Sequence, residues 1–173
     1  MVGDTADISF PRGIAILRDE GINPVVSMEF SSAMNGVFCG IREVKALLGK
    51  VLPEGNRAVW ALEEGAAVAA GEVALRITAS YGSFGLYETA ICGTLAHSTG
   101  WATASRECVR AAAGIPVISI GARHVHPNVA GVMDYAATVG GCVSCSTTLG
   151  ARLSGTTPMG TISPNIALIM GDT

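Results

Sequence analysis

The chain reads as an α/β protein, with a mixed α+β half over residues 1–113 and the first βα units of a parallel sheet over residues 114–173. Three observations predict this. Strand and helix rhythms alternate irregularly up to a long small-residue helix, whereas after Gly114 the order strand, loop, helix repeats. The apolar run Pro116-Val117-Ile118-Ser119-Ile120 empties directly into Gly121-Ala122-Arg123-His124-Val125-His126-Pro127, which places an arginine and two of the three histidines at the end of a buried strand. At 173 residues, 49% hydrophobic and only 14% charged, the chain has ample apolar material for a core and little polar surface for a free monomer. Some apolar surface is therefore expected to lie against another chain or segment.

The elements follow in order. Residues 11–20 form a short helix that Gly21 stops, residues 25–30 a strand, and residues 41–48 a helix stopped by Gly49. Residues 57–62 and 72–78 read as strands flanking Glu63-Glu64-Gly65-Ala66-Ala67-Val68-Ala69-Ala70-Gly71. Within that segment the spacing Glu64-Gly65-x-x-Val68-x-x-Gly71-Glu72 is the turn chemistry of a barrel-sandwich unit, each glycine permitting a positive φ at a tight corner. Biotinyl and lipoyl carriers share the pattern, but a swinging arm needs a lysine at a hairpin tip. The only lysines, Lys45 and Lys50, fall in or beside the helix at 41–48.

Residues 88–113 make a long helix of alanine and other small residues, stopped by Gly114, with Ile91, Leu95 and residues 98–102 on one face. Its composition suits close packing between domains or subunits, and His97 reads as a packed histidine. Then come a strand at 117–120, a helix at 127–139, a strand at 142–146, a helix at 147–153, a strand-like or turn segment at 158–161, and the apolar residues 166–170.

Charge and cysteine usage narrow the function classes. A net charge of -3 and a pI near 5.5 give no basic field for nucleic acid. The amino end lacks the basic start and apolar core of a signal peptide, and no apolar run approaches a membrane span. Five cysteines, an odd number, read as reduced thiols of a cytoplasmic protein. Cys142-Val143-Ser144-Cys145 invites a zinc reading, but a strand there would point the two side chains to opposite faces, so the pair reads first as buried small residues.

In a parallel sheet, ligands bind at the carboxyl ends of the strands. The loops that share this rim carry Arg123, His124 and His126, then Ser144, Ser146 and Thr147, then Thr161, Ser163 and Asn165. Cations grouped with hydroxyls suit an anion, a carboxylate or a phosphate.

Five motifs in order carry a resemblance: Glu64-Gly65-x-x-Val68-x-x-Gly71-Glu72, Glu88-Thr89-Ala90, Gly121-x-Arg123-x-x-His126-Pro127, Gly140-Gly141-Cys142 and Gly160-Thr161. With the opening Ala6-Asp7-Ile8-Ser9-Phe10-Pro11-Arg12, the chain resembles the nicotinate phosphoribosyltransferase family, in its archaeal and bacterial branch, over almost its whole length. The resemblance implies a barrel-hammerhead α+β domain followed by an incomplete β/α barrel. It also implies a homodimer in which one subunit helps cover the next one's site. The implied reaction joins nicotinate to phosphoribosyl pyrophosphate, giving nicotinate mononucleotide for NAD synthesis with ATP and Mg²⁺ as cofactors; quinolinate phosphoribosyltransferase is the alternative of the same architecture. By resemblance Arg123, His124 and His126 are catalytic, and Phe10, Arg12, Ser144, Thr161 and Asn165 bind substrate; no residue is expected as a metal ligand.

Three departures from the family pattern stand out. Ser9 occupies the place of an aromatic residue after the opening aspartate. Asn165 takes the place, by order, of the histidine phosphorylated during ATP coupling. The third is that the sequence ends at Thr173, where family members continue through the rest of the barrel. The expectation is an amino-terminal half completed by another barrel segment, or a non-catalytic relative acting through a partner. Alone, such a chain would associate through its open sheet edge and show no transfer.

Overall fold

The structure, a computed structural model, describes residues 3–55 and 57–171. In chain order its elements are α1 (Ser9–Asp19), β1 (Val25–Ser31), β2 (Gly36–Val37), α2 (Ile41–Val51), β3 (Ala58–Ala61), β4 (Ala67–Val68), β5 (Val73–Ser80), α3 (Tyr81–Phe84), α4 (Glu88–Ala111), β6 (Ile118–Ser119), α5 (Pro127–Gly140), β7 (Ser144–Cys145), α6 (Thr148–Ser154) and α7 (Pro164–Met170). Two compact units, Met1–Ala104 and Ser105–Thr173, divide inside α4.

The first unit is built on an antiparallel sheet of order β1-β5-β3, with Met28 and Val59 both opposite Ile77. Alternation along β5 sends Leu75, Ile77 and Ala79 into the core, all fully buried, and Arg76 outward onto Glu29, its Nε 2.7 Å from Oε1. Ile41, Val44 and Leu48, at i, i+3 and i+7 of α2, enter the same core together with Phe84, Ile91 and Leu95. The corners read from sequence are present: Gly65 and Gly71 have φ of 83° and 81°, and between them β4 pairs with β2. Both glutamates of that motif serve the fold. Glu64 Oε1 and Oε2 accept from the Gly40 and Arg42 backbone N–H groups at 2.7 and 3.1 Å, satisfying the start of α2, and Glu72 accepts from Ala69 N–H at 2.8 Å. With Lys45 and Lys50 on α2, no lysine stands at this turn.

The small residues of α4 seat a backbone. Thr103 Oγ1 accepts from Val37 N–H at 2.9 Å, and Thr99 Oγ1 both accepts from Cys39 N–H at 3.1 Å and donates to Cys39 O at 3.3 Å. This approach depends on Gly40, whose φ is +99° and whose Cβ, if present, would lie 2.9 Å from Thr94 O. One turn before α4, Tyr81 packs edge-on against Phe84 and donates its hydroxyl to Glu88 Oε1 at 2.8 Å. Burial, then the Glu88 carboxylate, pushes the Tyr81 phenol up to about 12.

In the second unit β6 and β7 are parallel, Ile118 opposite Ser144 and Ser119 opposite Cys145. Both are shorter than the spans read from sequence. α5 covers them with Ala130, Met133, Ala136 and Ala137, and α6 crosses α5 closely because a Cβ on Gly131 would lie 2.6 Å from Leu149 Cδ2. The segment at 158–161, expected as strand-like or a turn, forms neither. Its one tie to the sheet is Met159 N–H on Cys145 O at 2.9 Å, and irregular backbone then leads to α7, none of whose residues is buried.

Replacing Gly40 by alanine should cost about 2 kcal/mol or more, from the left-handed backbone and the Thr94 contact together, read as a lower denaturation midpoint. For Tyr81 the folded pKa lies above the unfolded value, so its stabilisation is complete below about pH 10 and disappears as pH rises through about 12. An ultraviolet titration should show a tyrosine step near 12 that Tyr81→Phe removes.

Candidate active-site rim of the second unit

Two-residue strands provide too short a ladder to fix the loops beyond them. Those loops, at the carboxyl ends of β6 and β7, are instead fixed by a buried side chain of α5. Asp134, with no exposed surface, accepts from Ser119 Oγ–H through Oδ1 at 2.7 Å and from Thr147 N–H through Oδ2 at 2.9 Å. One carboxyl group thus clamps the end of β6 to the loop after β7, and both oxygens find the donors their burial demands. Thr147 in turn caps α6, its Oγ1 accepting from Gly150 N–H at 3.1 Å. Sequence reading missed Asp134. The signal was available: a lone acid on the apolar helix, at the i+4 position between Ala130 and Ala137, points inward.

After β6 the chain makes a 3₁₀ turn over Gly121–His124, which leaves Arg123 and His124 exposed, with no hydrogen bond or ion pair among the described residues. His126 is the N-cap of α5, its Nδ1 accepting from Asn128 N–H at 3.2 Å. That bond puts the ring proton on Nε2, the atom left for other partners. These three residues share one short loop beside the Asp134 clamp. Ser144 departs from expectation. It is 2% exposed and its hydroxyl donates to Thr157 O at 2.5 Å, so the group expected to meet substrate is taken up in the fold, because β7 points this side chain into the unit. Thr161 is exposed in irregular backbone, and Asn165 is exposed near the start of α7.

The cysteine pair is buried, Cys142 at 8% and Cys145 at 0% exposure. Burial pushes both thiols up, reinforced by Cys108 at Cys142 and by Asp134 at Cys145, which disfavours the thiolates that a metal requires. Among the described residues no group of three or more histidine, cysteine or acidic side chains could hold a metal ion, and no helix is long and apolar enough to cross a membrane.

In the first unit, Phe10 is half-buried and Arg12 exposed on α1. Asp7 Oδ1 accepts from the Ser9 hydroxyl and amide at 2.7 and 2.9 Å, which holds its carboxyl below the usual range. Asp7 N–H donates to Thr89 Oγ1 at 2.9 Å, so the opening motif and Glu88-Thr89-Ala90 meet in space.

An α+β unit followed by βα units, with an arginine and two histidines in the loop at the strand end, defines the fold class as α/β. The model of the family described as quinolinate phosphoribosyl transferase, N-terminal domain, matches residues 7–99. The chain belongs to this family. A solved structure of nicotinate-nucleotide pyrophosphorylase from Pyrococcus furiosus is similar at 36% identity and a TM-score of 0.89, over 98% of this chain and 44% of that one. Human nicotinic acid phosphoribosyltransferase matches at 18% identity and TM-score 0.78, over 96% of this chain and 40% of its own. Nicotinate-nucleotide pyrophosphorylase from Ehrlichia chaffeensis matches at 20% and 0.74, over 99% and 57%. The chain thus spans about half the length of these proteins or less. The likeness read from the motifs holds at the level of type II phosphoribosyltransferases, and the family match falls on the quinolinate branch, where the motifs had suggested the nicotinate branch. No closed barrel is seen: β6 and β7 are the only paired strands of the second unit among the described residues.

Asp134→Ala should cost about 2–4 kcal/mol by leaving Ser119 and the Thr147 amide without their acceptor. Asp134→Asn should cost less, keeping one oxygen while turning an amide toward a donor. Urea denaturation of both variants measures the order; equal stability of the alanine variant and the parent would deny the clamp.

Proposed function

We propose that this chain is the amino-terminal part of a quinolinate phosphoribosyltransferase working in the cytoplasm. The observation that carries the reading is the 36% identity, over 98% of the chain, to a protein named nicotinate-nucleotide pyrophosphorylase. Quinolinate has two ring carboxylates and a nicotinate nucleotide has one. The reaction therefore joins the ring nitrogen to C1 of the phosphoribosyl group, expels pyrophosphate with the electrons of the C1–O bond, and loses the carboxylate beside that nitrogen as CO₂, a proton taking its place. Positive charge builds on the ribose and negative charge on the leaving oxygen, so fixed cations near the latter lower the barrier.

The loop after β6 suits that task. The planar fork of Arg123 can hold a carboxylate or phosphate by two parallel bonds, and His124 and Nε2 of His126 add donors. Their exposure, and the lack of partners for Arg123 and His124 among the described residues, favour a ligand over a purely structural duty. Thr161 and Asn165 are proposed as further binding groups of the second unit, and Phe10 and Arg12 as binding groups that the first unit offers.

Mg²⁺ and ATP were the cofactors implied by resemblance, and the described residues do not fit either as a resident. Asp134, the carboxyl group that ties the rim loops together, is fully buried with both oxygens engaged. Asn165 cannot replace a phosphorylated histidine, because its amide lone pair is delocalised into the carbonyl. The proposed active unit also includes the remaining barrel, supplied by a further segment or a partner chain, and assembles as a homodimer.

The test joins this chain to the barrel segment that lies beyond its match in the Pyrococcus furiosus protein. Quinolinate with phosphoribosyl pyrophosphate should yield nicotinate nucleotide, with no stimulation by ATP. Arg123→Ala should lower kcat/KM by about 2–4 kcal/mol of transition-state stabilisation, and Arg123→Lys should recover only part. Preferential turnover of nicotinate, or label from γ-labelled ATP held on His124 or His126, would return the reading to the nicotinate enzyme. Near-normal turnover by the alanine variant would remove Arg123 from the site.

A further inference from the structure

A groove at the carboxyl end of α2, of about 200 Å³, is lined by Lys45, Leu48, Gly49, Leu52, Arg57 and Val59. Its floor is apolar, with Leu48 and Leu52 buried and Val59 half-buried. Its edge carries two exposed cations and no lining residue is acidic. Neither Lys45 nor Arg57 forms an ion pair among the described residues. Arg57 uses Nη1 to donate to Leu52 O at 2.8 Å, pairing one of the carbonyls at the carboxyl end of α2, where cations are favoured. Nε and Nη2 remain.

Gly49, in the last turn of α2, lines the groove without a positive φ, and an added Cβ would meet nothing within 4 Å, as is also true of Gly13, Gly93 and Gly100 in the other helices. A larger side chain here can therefore enter the groove without straining the helix, which makes the position a means of blocking it.

We propose that this groove binds a small carboxylate with a short apolar body, the body lying on Leu48, Leu52 and Val59 and the head between the Lys45 ammonium and the free edge of the Arg57 guanidinium. The planar fork favours a carboxylate in particular, and the volume limits the ligand to a small one. The site lies wholly in the first unit and is separate from the rim chemistry.

Titrating the whole chain with octanoate, monitored by the methyl resonances of Leu48, Leu52 and Val59, tests this. Octanol, which keeps the apolar body without the charge, and inorganic phosphate, which keeps charge without the body, should each bind at least about tenfold more weakly. Lys45→Gln and Arg57→Gln should each weaken octanoate binding roughly 3- to 10-fold. Gly49→Leu should abolish it while leaving the chain folded with an unchanged or higher melting temperature. Octanol binding as tightly as octanoate, phosphate doing so, undiminished binding by the folded Gly49→Leu variant, or no octanoate binding at all would each overturn the proposal.

Discussion

The second unit depends on one buried carboxyl group. Its parallel ladder involves only two residues on each strand, and backbone pairing that short cannot fix the direction in which the following loops leave. Asp134 does so from the neighbouring helix, taking a hydroxyl from the end of one strand and an amide from the loop after the other. Glycine makes room for it, since a Cβ on Gly150 would collide with Asp134 Cβ. The Arg123, His124 and His126 loop starts two residues beyond Ser119, so its geometry derives from a residue whose two oxygens are already engaged.

The first unit answers a different constraint. The segment from Gly36 to Gly40 crosses α4 at backbone distance, and its polar groups must find partners on a helix whose own backbone is already paired. Thr99 and Thr103 supply them, and the lack of side chains at Gly36 and Gly40 lets the approach happen. Thr99 and Thr103 of α4 thus have a local cause within this unit.

These two solutions separate fold from chemistry. The glutamates of the Glu64-Gly65 motif, the aspartate of the opening motif and Thr89 all commit their hydrogen-bonding capacity to backbone groups or to one another. Arg12, Arg123 and His124 do not. A family fingerprint therefore mixes residues that define the scaffold with residues that scaffold presents, and only the second kind keeps its hydrogen-bonding groups uncommitted.

By itself the sequence determined the order of elements, the glycine corners at Gly65 and Gly71, the inward positions of α2 and β5, and the cationic loop at a strand end. Periodicity, positive-φ chemistry and the switch to repeated βα units are local properties that survive without neighbours. The level of type II phosphoribosyltransferases was legible too, because ordered motifs record a shared scaffold, whereas the branch was not. The tertiary structure decided what each polar side chain does with its hydrogen bonds. Ser144 faces inward to Thr157 and His126 gives one nitrogen to a helix cap, while Asp134 joins two loops far from it in sequence. Residues 158–161 showed too little pattern to settle strand against turn, and the ties of Thr157 to Ser144 and of Met159 to Cys145 left this stretch irregular. Burial and pairing depend on which distant groups arrive at the same place, and a linear pattern of residue types does not specify that.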